Sequence, residues 1–269
     1  MKRNLTADEL KDIELGILDS FSAFCKENNY RWSLVGGSML GAIRHKGFIP
    51  WDDDIDVAMP RQDYEDLLRN KTDFESSTGL LIKGHGLVDP HFAFFYKIVN
   101  PNIYVKEPSV NYLENAWIDI FPYDGAPDEY GKWRRLHKRA KFNHDFYVFL
   151  NQKNQYNSRS GQILKKILSL FLKSFDSLNC RISKTQTKLA KKIPFCSTSY
   201  IACITWGMYG DGERIPSDSF DNTTLVNFEG REIPIFYCWD KYLTGIYGDY
   251  MQLPPIEQQV NHGITAWTE

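Results

Sequence analysis

The chain has 269 residues, 42% of them hydrophobic and 25% charged, with a formal net charge of -2 and a pI near 6.3. That length suits one large domain or a domain with a subdomain, and the charge balance lacks the strongly basic character of a nucleic-acid binder. Five scattered cysteines, Cys25, Cys180, Cys196, Cys203 and Cys238, contain no CxxC pair, which argues against a disulfide framework or structural zinc and fits a reducing cytoplasm.

The N-terminal segment carries acids within its apolar pattern, so it reads as neither signal peptide nor anchor, and no stretch of the chain has the length and apolarity to span a bilayer. Thr6-x-x-Glu9 has the form of a capping box, and Leu10, Ile13, Ile17, Phe21 and Phe24 follow at helical intervals, so an amphipathic helix is expected to end near Asn28 and Asn29. Trp32 to Val35, Gly36-Gly37-Ser38 and Met39 to Arg44 then read as strand, tight turn and short helix.

Asp54-Ile-Asp-Val-Ala-Met59 alternates polar and apolar residues, which predicts a strand with one buried face and both carboxylates on the other. A helix is expected after Pro60, and strands over Phe92 to Val99 and Trp117 to Phe121. Residues Asp128 to Leu150 look helical, Asn151 to Gly161 look like a polar linker, and a second helical region follows. Within Ile163 to Lys192, eight basic residues face the single acid Asp176, a local charge of +7 that leaves -9 on the rest. The tail returns to short aromatic runs, with a helix expected over Asp240 to Tyr247. This order of elements indicates a mixed α/β or α+β fold.

The chemistry concentrates in WDDDID. A hard divalent cation takes oxygen ligands, commonly one or two carboxylates together with substrate phosphate and water, and Asp-x-Asp on a strand supplies such a pair. The competing reading, a solvated acidic loop, accounts for the cluster alone. It does not account for the upstream Gly-Gly-Ser turn before a helix N-terminus, where free amides favour phosphate. Nor does it account for Asp119, an isolated acid inside the apolar run Trp117-Ile-Asp-Ile-Phe121, costly to bury unpaired; a buried salt bridge would explain that acid alone but not the three features together.

Leu34-Val-Gly-Gly-Ser38, Asp54-Ile-Asp-Val57 and Ile118-Asp-Ile120 together resemble the signature of the nucleotidyltransferase superfamily. More narrowly, GGSMLGAIRHKGFIPWDDDIDVAMPRQDYEDL, WIDIFPYDG and the terminal YGDYMQLPP resemble the LicD family, bacterial enzymes that transfer phosphocholine onto cell-surface glycans and share their core with fukutin-related proteins. The resemblance implies an α+β, nucleotidyltransferase-like core of a mixed sheet flanked by helices over residues 1–127. A basic helical elaboration would follow over 128–198, and a segment over 199–269 would return to complete the pocket.

The same resemblance makes Asp54, Asp56 and Asp119 both metal ligands and catalytic groups, with Mg2+ or Mn2+ as cofactor, and sets Gly37 and Ser38 against the donor phosphates. It implies CDP-choline or a similar CDP-alcohol as donor, a glycan or lipid-linked glycan precursor such as a teichoic acid precursor as acceptor, and CMP as leaving group. Asp119 would orient the acceptor hydroxyl or take its proton. Arg44 and Lys46 are candidates for holding phosphate oxygens, and Lys97 is another, although a snorkelling edge lysine is the competing reading there. His262 follows the tail motif and is a candidate pocket residue. Trp51, Trp117, Trp206 and Tyr209 are available to face a quaternary ammonium, against a background in which most aromatics serve the core.

Other donors (CDP-ribitol, CDP-glycerol, CDP-ethanolamine), transfer of NMP from an NTP, and a non-catalytic binding module are the alternatives. The intact carboxylate triad speaks against the last. The expected location is cytoplasmic, with peripheral contact at the inner membrane face if the basic segment meets anionic lipid and the acceptor is lipid-linked; the competing reading is a helical pair packed on the core.

Overall fold

The computed structural model describes residues 2–84, 94–108, 113–151, 175–261 and 263–269. His262, the linker expected after Asn151 and the basic segment up to residue 174 lie outside the described residues. Within them the chain folds as an α+β domain with seven helices and a mixed nine-stranded sheet.

The strand β1 (Arg3–Asn4) leads into α1 (Ala7–Asn28), which starts where its capping box places it. Thr6 Oγ1 accepts from the Glu9 amide at 3.1 Å and Glu9 Oε2 accepts from the Thr6 amide at 2.8 Å, satisfying two amides that the first helical turn leaves open. Asn29 ends the helix in the left-handed region at φ 56°. Leu10, Leu18, Phe21 and Phe24 form its buried stripe.

There follow β2 (Ser33–Leu34), α2 (Gly36–His45), β3 (Asp56–Pro60), α3 (Arg61–Arg69), α4 (Lys71–Thr78), β4 (Leu81–Gly84), β5 (Tyr96–Lys106) and β6 (Glu114–Ala126). The sheet runs β1, β11 (Thr265–Thr268), β5, β6, β3, β2. The edge of β5 away from β6 is shared: β4 takes Tyr96 to Val99, and β11 takes Ile103 to Lys106. Among the described strands β3 with β6 is the one parallel pair. The alternation over Asp54 to Met59 predicts a single buried face; instead the strand begins at Asp56 and Val57, Ala58 and Met59 are all fully buried. An interior strand beside a parallel neighbour is covered on both faces, so its apolar run is continuous.

Helices α5 (Tyr130–Asn151) and α6 (Phe175–Ala190) pack on one another, and the buried Gln186 ties α6 in place. Its amide nitrogen donates to the carbonyls of Ala140, Ile204 and Thr205 at 3.2, 3.0 and 3.0 Å. Strand β7 (Tyr200–Ala202) pairs antiparallel with the end of β6, Asp124 to Ala126, and on its other side with β8 (Ile215–Pro216). The hairpin of β9 (Thr223–Phe228) and β10 (Arg231–Phe236) turns through Glu229 and Gly230, both at positive φ, as two-residue hairpin loops require. From that turn Glu229 Oε1 accepts the Phe48 amide at 3.0 Å, fixing the chain just after α2. The last helix, α7 (Trp239–Tyr247), packs on α2.

Two buried charged groups give the fold measurable signatures. Arg61, at the start of α3, donates from Nε and Nη2 to the two oxygens of Asp124 at 2.7 and 2.6 Å, and the Asp124 side chain is 1% exposed. Asp124→Ala leaves that guanidinium buried without its partner, and urea unfolding is expected to show a loss of about 3–5 kcal/mol. Glu213 is also buried and accepts from the Tyr209 amide at 3.0 Å; burial pushes its carboxyl up to about 7 from the ordinary 4.5 despite the backbone hydrogen bonds that favour its charge. Between those values the folded protein keeps a proton that the unfolded chain has released, so stability falls as pH rises. Comparing unfolding free energies of the wild type and Glu213→Gln from pH 5 to 8 is expected to assign about 2–3 kcal/mol of such loss to this one group.

Candidate active site

Pairing of three adjacent strands sets one row of side chains across the sheet. Asp56 on β3 is the register partner of Asp119 on β6, and Asp119 is the partner of Lys97 on β5. Neighbours in register share a face and strands lie about 4.8 Å apart, so two carboxylates and an ammonium stand in line. Lys97 Nζ is 3.5 Å from Asp119 Oδ1, 3.6 Å from Glu114 Oε1 and 3.9 Å from the centroid of the Trp117 ring. Its side chain is 12% exposed, so it is an interior cation and does not snorkel from an edge.

The electrostatics are those of an overloaded acidic centre. Burial, then the charges of Asp54, Asp119 and Asp52, push the Asp56 carboxyl well above its usual range, and Lys97 offsets only part of this. Asp119 is raised by burial and held back by Lys97. Burial opposes the charge on Lys97, yet Asp119, Glu114 and Glu107 outweigh it and the net shift is upward.

Opposite this row stands the N-terminus of α2. Val35 precedes the helix without a side-chain cap, and the Gly36 amide donates to Tyr242 Oη of α7 at 3.1 Å. Uncapped amides at a helix start favour an anion. Gly36 sits at φ +54°, and a Cβ there would lie 3.2 Å from Asp56 Oδ2. At Gly37 a Cβ would come within 2.7 Å of Asp52 Oδ2, so the Asp52 side chain lies against this helix end and would have to swing away from a larger residue, while Gly36 is favoured by its positive φ. Tyr247 and Tyr209, with ring centroids 5.8 Å apart, wall the same space, and both feel the charges of Asp56 and Asp52.

The candidates from sequence divide into two groups. Asp54, Asp56, Asp119, Gly37 and Lys97 gather here. Ser38 is buried beside them, and its Oγ accepts the Asp56 amide at 2.8 Å, which fastens α2 to the start of β3. Arg44 lies further along α2 and donates to the carbonyl of Tyr250 in the tail at 2.8 Å, with its guanidinium 6.0 Å from the Trp51 ring centroid. Lys46 is exposed at the far end of α2, about 15 Å from Gly36 by helical rise. Two buried acids escaped the sequence reading, Glu114 beside Lys97 and Glu14 on α1. Burial, then Asp54 and Asp53, push the Glu14 carboxyl well above its usual range. A signal for Glu14 existed: it falls four residues after Leu10 and three before Ile17, inside the apolar stripe.

Among the described residues, no three His, Cys, Asp or Glu side chains close into a ready ligand cage. The donor set still suits a hard cation that brings its own water and phosphate ligands, since such an ion needs only one or two protein carboxylates. Asp56 and Asp54, whose charge acts most strongly on it, could supply them, and the excess of negative charge over Lys97 is what a divalent cation would relieve.

Comparison with known proteins bears on the same residues. Residues 29–154 match the family model described as LicD/FKTN/FKRP, nucleotidyltransferase domain. The chain is 34% identical over 278 aligned residues, covering 97% of both chains, to the lipopolysaccharide cholinephosphotransferase LicD of Haemophilus influenzae. Shorter matches, 43% identical over 37 residues and covering 14% of this chain, join it to uncharacterized proteins of Rickettsia prowazekii and Rickettsia typhi, where they span 14% and 12%. The family match takes in the whole Asp56, Asp119 and Lys97 row, and the Haemophilus likeness extends to the tail that packs on α2; the chain belongs to the LicD family.

Proposed function

We propose that the protein transfers phosphocholine from CDP-choline to a sugar hydroxyl of a cell-surface glycan or teichoic acid precursor and releases CMP. The observation that carries the reading is the likeness along 97% of the chain to a lipopolysaccharide cholinephosphotransferase. The acidic row beside an uncapped helix start agrees with a centre that handles phosphates.

Asp54 and Asp56, with Asp119 beside them, would hold Mg2+ or Mn2+, which would neutralise donor phosphate charge and stabilise the charge that develops on transfer. The amides at Gly37 and Ser38 meet the donor diphosphate. The acceptor oxygen attacks the phosphocholine phosphorus, the diphosphate P–O bond breaks toward CMP, and Asp119, kept in place by Lys97, orients the hydroxyl or receives its proton. Tyr209 and Tyr247 border the site and offer aromatic faces for a quaternary ammonium.

No helix among the described residues is long and apolar enough to cross a membrane. Arg181, Lys184 and Lys188, all exposed and spaced to share one face of α6, would support peripheral contact with anionic lipid at the inner face of the membrane, where a lipid-linked acceptor would be met.

With Mg2+, CDP-choline and a glycan acceptor, the wild type is expected to release CMP and no pyrophosphate, and Asp56→Ala is expected to lower the rate by roughly a hundredfold. Wild-type rates in the variant would remove Asp56 from the chemistry. Running CDP-ribitol, CDP-glycerol and CDP-ethanolamine alongside fixes the donor, and pyrophosphate release from an NTP would point to nucleotidyl transfer instead.

A further inference from the structure

Glu14 has no part in the reading above, yet its position is hard to explain by packing alone. It is 2% exposed, in the stripe of α1 that otherwise carries Leu10, Ile17, Leu18 and Phe21, and its Oε2 makes no hydrogen bond. A buried carboxyl with an unpartnered oxygen is costly, and an apolar residue would serve the stripe better.

What lies nearby is the acidic loop. A cavity of about 100 Å³ is lined on one side by Ala7, Leu10 and Lys11 of α1 and on the other by Trp51, Asp52 and Asp53, so the first half of α1 faces that loop directly. Glu14 follows Leu10 by one turn on the same side of the helix. The charges that act on it are Asp54, Asp53 and Asp119, with Lys11 as the opposing cation. A core acid in the field of other acids is destabilising in the free protein, and it becomes favourable when a cation arrives.

We propose that Glu14 is a buried positioning carboxylate of α1 that backs the cation-binding acids from outside the sheet. This rests on the cation part of the proposed function. Its role is to add negative charge behind Asp53 and Asp54, so that cation binding draws the acidic loop and α1 together. It is a positioning residue for Asp54 and has no place among the groups that touch the acceptor or the donor.

The test uses Mn2+ alone, without nucleotide, on the full chain. Free Mn2+ is followed by electron paramagnetic resonance, and thermal unfolding is recorded with and without the ion, for the wild type, Glu14→Gln and Glu14→Leu. Both variants are expected to bind Mn2+ at least about tenfold more weakly than the wild type. Glu14→Leu is expected to melt above the wild type without the ion and to gain less from adding it. Wild-type Mn2+ affinity in either variant overturns the proposal. So does a cation-free Glu14→Leu that melts below the wild type, because Glu14 would then be holding the fold. Absence of Mn2+ binding by the wild type overturns it as well. The phosphocholine reading is judged separately by CMP release: a wild type that binds Mn2+ through Glu14 but leaves CDP-choline intact would keep this inference and lose the other.

Discussion

Asp56 and Asp119 are held next to each other by the parallel pairing of β3 with β6, in a place where water is scarce and like charges repel. The backbone leaves them no escape, since the Val35 amide donates to the Asp56 carbonyl at 3.1 Å and the Asp119 amide donates to the Ile55 carbonyl at 2.9 Å. Lys97 compensates part of that repulsion from the neighbouring strand and is itself kept charged by three acids. The surrounding structure can be read as what is needed to keep such a row in place.

Strand pairing fixes the row, but it does not bring anything up to it. That is left to α2 and to the tail. The Asp52 side chain lies against the glycine turn that starts α2, and Ser38 pins the first residue of β3 from the same turn. Tyr242 and Tyr247 reach this turn from some 200 residues further along the chain, and Arg44 grips the tail in return. The site is therefore closed by contacts between sequence-distant segments, with the sheet as the common support.

Local signals carried most of the fold. The Thr6 and Glu9 capping box, the stripe of α1, the helix after Pro60 and the strand around Asp119 all rest on short-range patterns, and each appears close to where its pattern lies. The site was legible where acids stood out against apolar neighbours, as at Asp119, or clustered, as in WDDDID. Three features were hidden because they depend on pairing across the sheet or on a distant helix. The partner of Lys97 is set by strand register, not by its own neighbours. The double burial of Val57 to Met59 follows from an interior position that alternation over six residues does not reveal. Lys46 sits beside the acidic loop in sequence, but it closes α2 at the end opposite the glycine turn.

The parallel pairing has a further consequence, for assembly. Two parallel strands cannot be joined by a tight turn, and here α3, α4, β4 and β5 all intervene between β3 and β6. Forming that contact means closing a long loop before its reward arrives, which places it among the slow, non-local steps of folding. A nascent chain that has made α1, α2 and β3 thus holds the acidic loop and the glycine turn without their counterpart, and gains it only when β6 docks.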